Sequence, residues 1–212
     1  MLILNAAGGK IDPLDVIEPS VINDESTYTV NVDSSYFSKT KMGVIEDDVI
    51  KWDSFEKKTV WCNEDIFSFM ENTILKFDYI CIYRFLEHVS FTKVPYFLYL
   101  VSTIMEPTNG VVDIIVPNYE TLAQRIIDEQ NNMENNNYGN FDNFEGYNIE
   151  LTTELLNEPS CPHASIWTPY RAKYFLEIEN LFTFNERPLI RNFSFDGRAL
   201  YLRFFARKNL DR

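Results

Sequence analysis

Three near-continuous apolar runs limit what this chain can become: Met1-Leu-Ile-Leu4, Phe77-Asp-Tyr-Ile-Cys-Ile-Tyr83 and Val111-Val-Asp-Ile-Ile-Val116. A short run without regular polar alternation reads as a strand buried on both faces, as in a parallel sheet covered by helices. Tyr28–Val32 and Thr59–Cys62 are β-rich and add two more strands. Between the strands, Ile66–Leu75, Val94–Met105 and Tyr119–Gln130 carry apolar residues at helical spacing, with Leu122, Ile126 and Ile127 inward in the last. Val44–Trp52 mixes acids with apolar residues and reads as a helix or a connector. Pro13 and Pro19 exclude a long helix after the first strand, so Pro13–Asn23 is an irregular crossover.

Beyond residue 130 the pattern changes. Asn131–Asn143 holds seven asparagines with acids and one glycine. It cannot bury a core and reads as a surface or disordered insertion spanning about 131–148. Thr152–Leu156 is a brief helix, and Pro159–Pro162 a loop. Thr168–Leu181 is a better helix, with Thr168 as N-cap and Pro169 at its first position; Trp167, Tyr170, Tyr174 and Phe175 are its expected core face. Leu189–Phe195 and Ala199–Ala206, joined by Asp196-Gly197, predict a closing hairpin. Strands alternating with helices and then a hairpin imply an α/β fold. The expected form is one domain, 1–212, with a doubly wound, mostly parallel seven-stranded sheet (Rossmann-like) and an antiparallel C-terminal hairpin.

Composition excludes several functions. The formal charge of −13 repels phosphate backbones and counts against nucleic acid as the main partner. The one basic cluster, Arg198, Arg203, Arg207, Lys208 and Arg212, reads as a solvated strand edge. No apolar run approaches the roughly 18 residues of a membrane span, and no basic segment precedes an apolar stretch as in a secretory leader. Three scattered cysteines, Cys62, Cys81 and Cys161, form no disulfide framework and fit a reducing cytoplasm. Frequent Asn, Ile, Lys, Tyr and Phe suit an AT-rich genome such as a viral one, which would place the protein in the host cytoplasm or the virion.

In doubly wound sheets ligands sit beyond the carboxyl ends of the strands, at the switch point. Asn5–Gly9, Asp33, Asp65 and Tyr83–His88 all fall at such ends. The small-residue turn Ala6-Ala-Gly-Gly9 lets a ligand approach the backbone closely, although a tight strand exit has the same composition.

Taken in order, these stretches resemble class I S-adenosylmethionine-dependent methyltransferases of the type-11-like group. Leu4-Asn-Ala-Ala-Gly-Gly9 stands where that family has Leu-Asp/Asn-Leu-Gly-Cys-Gly, and Asn31-Val-Asp33 where it has an acid ending the second strand. Phe77-Asp-Tyr-Ile80, Phe85-Leu-Glu-His-Val89 and Met105-Glu-Pro-Thr-Asn-Gly110 match its later motifs. The likeness covers about residues 1–120 and resumes at Leu200–Lys208.

The resemblance implies S-adenosylmethionine as cofactor, held by Asn5, Ala6, Ala7, Gly8, Gly9, Asp33, Asp65, Ile66, Arg84 and Phe85. Backbone amides at Ala7–Gly9 would lie against its methionine part, and Asp33 would accept both ribose hydroxyls. Asp65 would take the adenine amino group, cap the following helix, or do both, with Ile66 on the ring. Arg84 and Phe85 would begin the loop under the sulfonium. The acceptor would be a small molecule, a sugar or a protein side chain. His88 and His163 are the candidate bases, by their titration near neutral pH. In this family the Glu87-His88 pair more often orients its loop. Cys161-x-His163 has no second pair, so no metal site is expected. The sequence departs from the family at Ala7, at Ile11 in the third glycine position, and at the two prolines, and it begins directly at the first strand. Those departures fit a second class of function, a methyltransferase-like domain without catalysis that binds protein partners in a larger assembly such as a virus particle.

Overall fold

A computed structural model describes residues 1–6, 13, 16–17, 27–33, 44–46, 49–51, 59–62, 64–134, 163–177, 181–183, 191–193 and 201–209. Ten strands are described: β1 Leu2–Ala6, β2 Tyr28–Val32, β3 Val44–Glu46, β4 Val49–Lys51, β5 Thr59–Cys62, β6 Tyr79–Tyr83, β7 Val111–Pro117, β8 Phe182–Thr183, β9 Arg191–Phe193 and β10 Tyr201–Lys208. The helices are α1 Ile66–Asn72, α2 Val94–Ile104, α3 Tyr119–Glu134 and α4 Pro169–Glu177.

The main sheet runs β5-β2-β1-β6-β7-β10-β8, with β9 also paired to β10. β1 lies parallel to β2, with Leu2 opposite Tyr28 and Ala6 opposite Val32, and parallel to β6 on its other side, with Asn5 opposite Cys81. β5 and β7 extend the parallel part outward, and β10 joins β7 antiparallel, with Tyr201 opposite Pro117. The chain builds outward from β1 in one direction and then returns to add β6 and β7 in the other. The switch point therefore lies between β1 and β6. The α/β, mostly parallel, doubly wound sheet with its antiparallel C-terminal hairpin is the architecture the sequence implies. It has eight strands rather than seven, because Phe182–Thr183 also pairs with β10.

Helices cover both faces of the sheet. On one, Phe69 and Met70 of α1, Phe97 and Val101 of α2 and Leu176 of α4 bury Leu4, Val30, Ile80, Ile114 and Phe204. On the other, Ile17 with Tyr119 and Leu122 of α3 cover Ile3, Cys81 and Tyr83. Local chemistry explains the joints. The Asp78 Oδ2 accepts the Leu2 amide at 2.7 Å, which fixes the amino end of β1 against β6. Glu106 Oε2 accepts the amides of Thr108 and Asn109 in the turn before β7. A Cβ at Gly110 would lie 2.5 Å from the Glu106 carbonyl oxygen, so only glycine closes that turn.

Several expectations need correction. β1 runs through Asn5 to Ala6, so these two are strand residues rather than part of the turn. Val44–Trp52 holds the antiparallel pair β3-β4, whose two Val-Ile steps favour strands over a helix. α1 ends at Asn72, where Thr73 takes an extended backbone. α3 continues through Glu134, so the asparagine-rich stretch begins as helix. Leu122 is buried but Ile127 is exposed, since five residues turn a helix about 140° past the inward direction. On α4 the buried stripe is Ala172 and Leu176, which leaves Tyr170 and Tyr174 exposed. β10 is no solvated edge, because β7 flanks one side and β8 and β9 the other; Arg203 is buried at 2% exposure. Ala7–Gly9, Ile11, residues 135–148, Thr152–Leu156, Pro159–Pro162 and Asp196-Gly197 lie outside the described residues, as does the side chain of Ile126.

Candidate functional site

The carboxyl ends of β1, β2, β5, β6 and β7 point the same way, because all five strands are parallel. Each end holds or leads into a polar residue: Asn5, Asp33, Asp65, Arg84 and Asn118 for β1, β2, β5, β6 and β7. Asn5, near the end of β1, is 2% exposed and sits opposite Asn31 and Cys81 in register. Asp33 follows β2 directly; its amide donates to the Cys62 carbonyl of β5 at 3.1 Å, and the residue is 9% exposed. Ala6 is fully buried in the core, so only its backbone can face a ligand.

Asp65 follows β5 as the N-cap of α1. Its Oδ1 accepts the amides of Phe67 and Ser68 at 3.0 and 3.2 Å. Both bonds use Oδ1, so the exposed carboxylate can cap the helix and still accept through Oδ2. Ile66 is 4% exposed and packs into the apolar core. Nearby, burial pushes the Cys62 thiol up to about 11, with Glu64 adding to it, so that sulfur is a poor nucleophile at neutral pH.

After β6 the backbone turns sharply. Arg84 holds φ at 55°, the one non-glycine residue with positive φ among the described residues. That conformation is strained for a side-chain-bearing residue, and such strain concentrates at ligand sites. Its amide donates to the Ile115 carbonyl of β7, and its guanidinium lies 5.6 Å from the centre of the Tyr201 ring. Phe85 packs against Phe97 of α2, with ring centres 5.5 Å apart.

The next turn, Leu86–His88, is 3-10 helical. It is clamped to the segment before α4: the amides of Ala164 and Ser165 both donate to the Glu87 carbonyl, at 2.6 and 2.9 Å. Ser165 Oγ donates to the Leu86 carbonyl at 2.8 Å and accepts from Trp167 Nε1 at 2.9 Å. Trp167 in turn accepts the Tyr119 amide through its carbonyl, at the start of α3. Asn118 caps α3, with its Oδ1 accepting from Glu120 and Thr121.

This lacing brings His163 against His88, with ring centres 4.9 Å apart, and joins its Nδ1 to the Tyr119 hydroxyl. One potential ligand atom from each of Glu87, His88 and His163 lies within 4.8 Å of the others, and Glu87 is fully buried. Sequence reasoning singled out both histidines but missed Tyr119 and the meeting itself. The only signal was indirect: each residue stands just after a strand or just before a helix, where loops converge.

No protein-family model matches the sequence, and no curated protein matches it. Solved structures do match in fold. A domain-of-unknown-function family protein from Streptomyces avermitilis aligns with a TM-score of 0.58 at 14% identity, over 98% of this chain and 75% of its own. A protein from Pyrococcus horikoshii gives 0.53 at 11% identity, covering 98% and 81%. A Burkholderia thailandensis 1,6-didemethyltoxoflavin-N1-methyltransferase, solved with bound 1,6-didemethyltoxoflavin and S-adenosylhomocysteine, gives 0.52 at 12% identity, covering 98% and 71%. The chain spans only about half of some larger matches. At these identities the likeness is one of fold: this chain has the class I methyltransferase fold.

Proposed function

We propose that this chain binds S-adenosylmethionine across the carboxyl ends of β1, β2 and β5 and transfers its methyl group to a small-molecule, sugar or protein acceptor. The observation that carries the reading is Asp33, an almost buried acid at the end of β2, adjoining both the β1 exit and β5. The residues present fit that cofactor. An acid at the end of the second strand suits a ribose diol, because one carboxylate accepts from two hydroxyls. The Asp65 Oδ2 can accept from an exocyclic amino group while Oδ1 keeps its helix cap. The Arg84 turn, strained and immediately after β6, would aim its backbone at the reacting end of the cofactor.

When bound, the cofactor supplies an electrophilic methyl group on a sulfonium. The protein's own task is then to position the nucleophile in line with it. With the cofactor over β1, β2 and β5, the acceptor meets the methyl group over the ends of β6 and β7. Arg84, His88, Tyr119 and His163 form that side. Calorimetric titration with S-adenosylhomocysteine tests the proposal. Micromolar binding is expected; no heat at millimolar ligand would overturn it and favour the non-catalytic binding domain.

A further inference from the structure

We infer that Glu87, His88 and His163 bind one divalent transition-metal ion at the acceptor side of the fold, with Tyr119 as the residue that orients His163. The geometry is close to that of a ligand set. Nitrogen and carboxylate ligands lie about 2.0–2.2 Å from such an ion, so two ligands at a tetrahedral angle stand about 3.3–3.6 Å apart. The three donor atoms here are within 4.8 Å of one another, and side-chain rotations that draw them in by roughly 1 Å complete the set.

The three residues are also held by the backbone. Glu87 and His88 share one 3-10 turn, and the segment carrying His163 is fixed to it by the Ala164 and Ser165 amides and by Ser165 Oγ. Trp167, 1% exposed, anchors the far end of that segment in the core. A surface cluster of flexible side chains has no such scaffold.

The hydrogen bond between Tyr119 and His163 Nδ1 adds a second, independent pointer. If Nδ1 carries the proton and donates to the phenol oxygen, Nε2 keeps the lone pair that a metal needs. Metal-binding histidines almost always have such a partner on the other ring nitrogen, which fixes tautomer and orientation. Glu87, with no exposed surface, supplies the one anionic ligand, while His88 and His163 are half-buried.

Two imidazoles and one carboxylate suit zinc, iron(II), cobalt(II) or manganese(II) rather than calcium or magnesium. Three protein ligands leave coordination positions open, as in catalytic rather than structural sites. An oxygen acceptor, a hydroxyl or phenol, would fill one of them and be held facing the methyl group. The metal site does not depend on the cofactor reading; only its use toward the acceptor does. Sequence spacing hid it, because Cys161-x-His163 directs attention to a neighbour in the chain, whereas the partners come from the turn after β6.

The test uses full-length protein freed of metal by a chelator and titrated with cobalt(II) alone. One cobalt per chain is expected, with visible ligand-field absorption that zinc displaces. His163→Gln and His88→Gln should each weaken cobalt binding at least 100-fold while keeping the wild-type circular dichroism spectrum. Tyr119→Phe should weaken it by roughly 10- to 100-fold, the usual effect of removing an outer partner. Cys161→Ser should bind as wild type, which excludes the thiol two residues before His163 as a ligand. No absorption change at millimolar cobalt, or unaltered binding by both histidine variants, would overturn the inference. S-adenosylhomocysteine titrated onto the same metal-free protein reports on the cofactor site separately, so the two failures are distinguishable.

Discussion

The two faces of the sheet are built on opposite principles. One is entirely aliphatic and aromatic: Leu4, Val30, Ile80, Ile82, Ile114 and Phe204 pack under α1, α2 and α4. The other mixes an apolar cluster that includes Ile3, Ile115 and Leu122 with buried polar residues, Asn31, Asn5 and Asp113, set in register with Cys81 across four strands. Asp113 anchors that row. Arg203 donates to it through Nε at 3.0 Å and Nη2 at 2.7 Å, and the hydroxyls of Tyr79 and Tyr83 donate at 2.9 and 2.6 Å. The apolar face is stabilised by area removed from water, which tolerates small changes. The polar network on the second face stabilises only while every partner is present, since a lone buried charge is expensive.

Removing one partner breaks the comparison most sharply. Arg203→Met leaves Asp113 buried without its cation and should cost about 3–5 kcal/mol in urea unfolding. A loss under 1 kcal/mol would mean the pair is not isolated from solvent. Alkaline pH probes the same face more gently. Burial first, and the charge of Asp113 among the further causes, push both the Tyr79 and Tyr83 phenols above their ordinary value; burial alone would lower the Arg203 guanidinium, but hydrogen bonding to Asp113 and its charge outweigh it and hold the group protonated. The folded state therefore keeps protons that the unfolded chain releases. Stability should be full below about pH 10 and fall above it, by up to about 1.4 kcal/mol per tyrosine for each pH unit. Equal unfolding free energies at pH 9 and 11 would contradict this. The smallest effect belongs to the apolar face, where Ile82→Val should cost about 1 kcal/mol. A cost of 3 kcal/mol there would erase the contrast.

The same contrast explains what the sequence could tell. The buried runs at Phe77–Tyr83 and Val111–Val116 revealed the central strands, because burial on both faces writes itself into composition. Thr168 and Pro169 marked the start of α4, where Thr168 Oγ1 does accept the Arg171 amide. Arg203 was misread because a basic residue in a strand is ordinarily at an edge; nothing local in Tyr-Leu-Arg-Phe-Phe-Ala announces Asp113, a carboxylate on another strand. The β3-β4 pair was missed because two three-residue strands are too short for a period to show. At the site, the acids at strand ends were legible as Asp33 and Asp65, since strand and acid adjoin in the chain. The meeting of Glu87, His88, Tyr119 and His163 was not, since it is made by the folding of three separate loops onto one another.

The central claim is that the β1–β2–β5 ends form the cofactor crevice, and one affinity ratio tests it most directly. S-adenosylhomocysteine should bind Asp33→Ala roughly 10- to 100-fold more weakly than wild type, the loss of about 1.5–3 kcal/mol expected for hydrogen bonds to a charged group. The melting temperature should change little. Equal affinity for the two proteins would contradict the account, because the acid at the end of β2 would then not touch the ligand.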